Sequence, residues 1–156
     1  MKGLERIGLI SSIDILCKRA AGLSIYASTV IKFVLSNHHP LEERLALIVS
    51  LPEDTSHEGK LGADPLYTHV LDQAFCDVDS NDPAYTLILS LVGAVVLVLN
   101  PLSIKALSDL QGNHSTPSRI FYHLHTLHSV LLVPENAESP VWIFHKSFSD
   151  FLTDPK

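Results

Sequence analysis

The chain has 156 residues, 46% hydrophobic and 18% charged, with a formal net charge of -6. That is the length of one domain or two very small ones, with enough apolar material for a core and too little polarity for disorder. An acidic balance argues against broad binding of nucleic acid or of anionic membranes, both of which start from a basic surface.

The opening, MKGLERIGLISSIDILCKRAAG, is interrupted by charges before any apolar core builds up, so no signal peptide is expected. From Ile13 the positions Ile13, Leu16, Cys17 and Ala20 keep helical spacing, with Ser12 as N-cap and Gly22 as a break. Leu23, Tyr26, Ala27, Val30, Ile31 and Val34 predict a second amphipathic helix that ends near SNHH. Pro40 then stands at a first helical position, followed by Glu42 and Glu43 where the helix dipole favours acids. Leu41, Leu45, Ile48 and Leu51 form the stripe of that helix, and Pro52 ends it.

PEDTSHEGKLGA reads as a polar loop. In ADPLYTHVLDQAFC, an Asp-Pro start precedes Leu66, Val70, Leu71 and Phe75 on one side of a helix. The acidic connector CDVDSN marks the boundary between two subregions. The two cysteines, Cys17 and Cys76, lack metal or redox spacing and lie among apolar helix formers, which predicts buried free thiols in a reducing compartment.

After the connector, Asp82 and Pro83 start a helix predicted to run through Leu99, apolar nearly all round and therefore central. Its apolar run falls well short of the ~20 residues that span a bilayer. In PLSIKALSDLQG, Ser103 is the cap, Ile104, Leu107 and Leu110 the stripe, and Gly112 the stop. In STPSRIFYHLHTLHS, Thr116 is the cap, Pro117 follows it, and Ile120, Phe121, Leu124 and Leu127 point inward. The period then falls to two. VLLV (130–133) and VWIF (141–144) flank the turn PENAESP as in a β-hairpin, and a last helix spans Ser147 to Leu152. Three helices and then a hairpin is the order of a winged helix.

The chemistry-bearing candidates are few. Of nine histidines, His125 and His128 share a helix face while His123 points elsewhere, and no third ligand is spaced to complete a zinc site, so no metal is expected. The chain holds no GxxxxGK[ST] phosphate loop, no GxSxG elbow and no HExxH, so it is not expected to be an enzyme. A winged helix raises DNA binding, yet the reading helix carries one permanent cation, Arg119, and the turn carries Glu135 and Glu138; no nucleic acid is expected as partner. His145, in IFHKSFSDFL, sits where a strand meets a helix N-terminus. By pattern it is a capping histidine, and the helix end beside it offers N–H groups where an anion could sit.

The segments AAGLSIYASTVIKFV (20–34), DPLYTHVL (64–71), LVGAVVLVLNPLSIKALSDL (91–110) and LHSVLLVPENAESPVWIFHKSFSDFLTDP (127–155) together resemble the region that follows the nucleotide-binding core of NACHT-type STAND NTPases, especially the fungal NLR-like proteins. The last segment, similar to LHSVLxVPxxxxxPIRxxHxSFxDFLxDP, is the specific one. The resemblance implies a mainly α chain: a helical subdomain over residues 10–78 and a winged-helix subdomain with a small β-hairpin over 82–154. In that family of innate-immune signalling ATPases the two close over an ADP-bound core and swing away on nucleotide exchange. His145 falls on the family's winged-helix histidine, which contacts the β-phosphate of ADP, so it is a nucleotide-binding residue only with a NACHT core present. Gly22-Leu23-Ser24 falls where related proteins carry Gly-Leu-Pro, with Ser24 in place of the proline that lies against the base.

No Walker or sensor segment accompanies these motifs. The implied function is therefore a non-catalytic regulatory fragment, cytoplasmic, with no cofactor in isolation and ADP or ATP for the full-length family. Its implied partners are a NACHT core and repeat region in cis or in trans, with no membrane. The alternatives are an autonomous winged-helix module that binds protein and a small membrane-associated protein.

Overall fold

A computed structural model describes residues 2–20, 24–35, 40–51, 63–76, 78–112 and 115–154, with side chains described from residue 11 onward. Among them the chain is mainly helical with one two-stranded antiparallel sheet. Its contacts divide it into two units, Met1–Thr68 and His69–Lys156. The division falls inside a helix, whereas the sequence pattern suggested the acidic connector that follows it. The expected break at Gly22, the SNHH end, the Pro52 stop and the polar loop over 52–62 lie outside the described residues.

In the first unit, α1 (Lys2–Ala20), α2 (Ser24–Leu35) and α3 (Leu41–Ser50) pack on one another. α1 starts well before the expected cap, so Ser12 is an interior residue of the helix and not its N-cap. α2 buries Ile25, Tyr26, Thr29, Val30 and Phe33, while Ile31 faces out, because the buried face is rotated from the predicted one. Pro40 is the N-cap of α3, one position before the place expected for it. Leu41 is exposed; the buried stripe is Ile48 with Arg44, only 4% exposed.

Two arginines tie this unit together through helix C-termini, whose last carbonyls lack partners within the helix. Arg19, in the last turn of α1, donates to the carbonyls of Ile48 (2.7 Å) and Val49 (2.9 Å) at the end of α3. Arg44 of α3 donates to the Phe33 carbonyl near the end of α2 (2.9 Å). Each cation therefore sits at the negative end of a neighbouring helix. α4 (Asp64–Phe75), within which the division falls, buries Leu66, Tyr67, Val70 and Ala74, and its last residue, Phe75, packs at a tilt of 50° against Tyr85 with ring centroids 4.8 Å apart.

In the second unit, α5 (Pro83–Leu97) begins as its sequence specifies: Asp82 accepts from the Ala84 amide at 2.8 Å and Pro83 fills the first helical position. It ends at Leu97, short of the expected Leu99. The all-round burial expected of α5 is corrected as well. Leu87, Ile88, Leu91 and Val95 are buried, but Leu89 and Leu97 stand out, and Leu99 beyond the helix is 98% exposed. One face of α5 has neighbours, in α6 (Ile104–Gln111), α7 (Pro117–His125) and β2 (Trp142–Ile143). Among the described residues no helix is long and apolar enough to cross a membrane.

Ser103 caps α6 by accepting from the Ala106 amide (3.1 Å), and Gly112 ends it at φ 77°, a conformation that disfavours residues with a Cβ. Ile104 and Leu107 are buried; Leu110, expected inward, is exposed. Thr116 caps α7 by accepting from the Arg119 amide (3.3 Å), and Ile120 and Leu124 form its buried face. β1 (Leu131–Leu132) pairs antiparallel with β2, Leu131 opposite Ile143 and Leu132 opposite Trp142.

A third arm joins this hairpin. Ser103 bridges Pro140, the Val141 amide donates to the Leu102 carbonyl (2.9 Å), and the Lys105 amide donates to the Ala137 carbonyl (3.0 Å). The turn is held further by Lys105 Nζ against Glu138 at 3.0 Å. Helix, short arm, helix, helix, hairpin is the element order of a winged helix. α8 (Lys146–Thr153) closes the chain and packs on β2, with Phe148 fully buried. Both cysteines are exposed, against the burial expected from their apolar neighbours in sequence. Cys17 lies on an outer face of α1, and Cys76 lies in the turn just after α4.

Candidate functional site

His145 is placed by the elements on either side of it. β2 delivers it: the Phe144 amide donates to the Val130 carbonyl (2.8 Å), which fixes the chain one residue before the histidine. α8 starts immediately after it. His145 has extended backbone angles (φ -152°, ψ 143°), as an N-cap residue requires, and Phe148, buried three residues on, anchors the first turn.

The imidazole is the cap. The Ser147 amide donates to His145 Nδ1 at 3.1 Å, and Ser147 Oγ lies 2.8 Å from the same nitrogen. A nitrogen that accepts an N–H carries no proton of its own, so the capping ring is neutral with its proton on Nε2. One edge of the ring therefore closes the helix while the opposite edge holds a donor. The residue is exposed. The nearest cation in sequence, Lys146, pairs with Asp150 at 3.3 Å. The arrangement offers an anion one neutral N–H donor beside the positive end of a short helix.

The sequence pattern singled out His145 and missed Ser147. The signal was present in HKS, because an N-cap side chain bonds the amide two or three residues on. Nothing in the sequence announced the pairing of residues 102–105 with 137–141, which is long-range.

Among the described residues, His123, His125 and His128 make other contacts. His125 and His128 stack with ring centroids 5.3 Å apart and planes 18° from parallel, and Phe121 packs 5.4 Å from His125 on the same helix. His128 Nδ1 donates to the His125 carbonyl (2.9 Å), a cap for the end of α7. A metal ligated by imidazole lies near the plane of each ring, and two stacked rings share no such point. Among the described residues no three His, Cys, Asp or Glu side chains gather as metal ligands. His123 packs edge-on to Tyr122 at 5.4 Å; burial and then the Arg119 charge hold its pKa below the ordinary value, with Asp82 opposing. His38, His39, His57 and His114 lie outside the described residues.

No family model, no curated protein and no solved structure matches the chain.

Proposed function

We propose that the chain is a non-catalytic regulatory segment of a NACHT-type signalling ATPase. In this reading it works in the cytoplasm and closes over an ADP-bound core supplied in cis or in trans. The observation that carries the reading is the double use of His145. Its Nδ1 caps α8 and its Nε2–H is a preset donor, at the position where the resembling family contacts the β-phosphate of ADP. The winged-helix order of the second unit supports the same reading. One neutral donor at a helix end gives little net binding energy on its own, so the chain alone binds ADP no better than millimolar and hydrolyses no ATP.

The test is a chimaera with a functional NACHT core placed upstream. A hydrogen bond to a charged phosphate contributes ~1.5–3 kcal/mol. If the contact forms only in the closed state, its loss shifts the closed–open balance roughly ten- to a hundredfold. His145→Asn keeps a capping acceptor but lacks the reach of the ring, and His145→Leu loses both. Both should release ADP faster than the parent, whereas His128→Leu should not. An ADP off-rate unchanged in His145→Asn and His145→Leu sinks the reading.

The cross-strand pair Leu132 and Trp142, both large, apolar and exposed, favours a second reading, an autonomous winged-helix module that binds protein through its wing.

A further inference from the structure

A histidine that caps a helix through Nδ1 can do so in only one of its neutral forms, and something must hold the ring in that form. In bulk water a neutral imidazole exchanges between tautomers and rotates about its side-chain torsions. At His145 two groups of one residue converge on one nitrogen. Ser147 supplies its backbone N–H at 3.1 Å and its hydroxyl at 2.8 Å. Ser147 is only 7% exposed, in the first turn of α8, so neither group is free to swing toward solvent. With the amide donating to Nδ1, the hydroxyl can approach the same nitrogen only as a second donor.

We infer that Ser147 is the positioning residue for His145: its amide and hydroxyl together hold the ring as the Nε2–H tautomer with that donor turned away from α8. The inference rests on the proposed phosphate contact only for its consequence, not for the tautomer. The amide bond would form with any residue at position 147, since every non-proline backbone carries that donor. The hydroxyl is what serine adds. The result is a donor whose identity and direction are set before any ligand arrives, which lowers the ordering cost of a later hydrogen bond.

The experiment uses the 156-residue chain labelled with nitrogen-15, at about pH 8, above the ordinary imidazole range. Long-range proton–nitrogen correlation reads which ring nitrogen is protonated, and His145 is assigned by the signals lost in His145→Asn. The expected result is an Nε2–H pattern with Nδ1 unprotonated. Ser147→Ala keeps the amide and loses the hydroxyl, so its Nδ1 signal should move toward that of a ring exchanging between tautomers, and Ser147→Thr should restore it. An Nδ1–H or fully averaged pattern in the parent overturns the inference, as does an unmoved signal in Ser147→Ala. In the NACHT chimaera, Ser147→Ala should also speed ADP release severalfold. A moved signal with an unchanged off-rate leaves the positioning role standing and removes the phosphate contact.

Discussion

At the scale of single residues, histidine is an unusual choice of cap where Ser, Asp and Asn lead, so its contribution can be isolated by substitution. His145→Ala should lower unfolding stability by about 0.5–2 kcal/mol in urea titration, while His145→Asn should stay within a few tenths, because an amide oxygen can take over the bond. Two other histidines carry a pH dependence of known sign. Burial holds the pKa of His69 below its ordinary value of 6.5 against the pull of Asp72, and burial with Arg119 does the same for His123. The unfolded chain then binds protons that the folded chain resists. Stability is complete above the ordinary value and falls as the pH drops from about 6.5 through the lower folded values. His123→Gln should flatten that fall in denaturation curves taken between neutral and mildly acid pH; an unchanged slope would contradict it. The caps at Asp82, Ser103 and Thr116 were legible because a cap is written within three residues of sequence. The exposure of Cys17 and Cys76 was not, since the first depends on which face of α1 finds neighbours and the second on where α4 stops.

At the scale of elements, α5 shows where composition misleads. Its residues are apolar on every side, yet neighbours cover one face and leave Leu89 and Leu97 outside. Apolar content counts what a helix could bury; it does not count the elements available to bury it. Gly93 makes the same point by its surroundings. A Cβ built there meets nothing within 4 Å, and its φ is not positive. Nothing in this structure needs a glycine, so Gly93→Ala should stabilise the chain by about 0.5–1 kcal/mol through lost backbone freedom in the unfolded state. A lower melting temperature for Gly93→Ala would contradict that expectation. The order of helices and the hairpin were legible from the change of period, whereas the arm 102–105 was not, because its partners lie more than thirty residues away in sequence.

At the scale of the whole molecule, charge decides against one use of a winged helix. The net charge is -6, α7 carries Arg119 as its one permanent cation, and the turn of the hairpin carries Glu135 and Glu138. Duplex binding at physiological salt should be weaker than the ~1–100 µM of ordinary non-specific contact, measured by fluorescence anisotropy of a labelled duplex. A submicromolar affinity with a steep salt slope would reverse that view. The hairpin has a different consequence for how copies of this chain meet. A sheet edge is a template for amyloid-like growth when it offers a long row of unpaired N–H and C=O groups. Here each strand is two residues long, and the side of the hairpin away from β1 is already paired with the third arm, Ser103 with Pro140 and the Val141 amide with the Leu102 carbonyl. Edges this short offer little template for backbone-driven fibre growth. Crowding at high concentration should act through the outward leucines of α5, giving amorphous clusters that detergent dissolves and that bind no thioflavin.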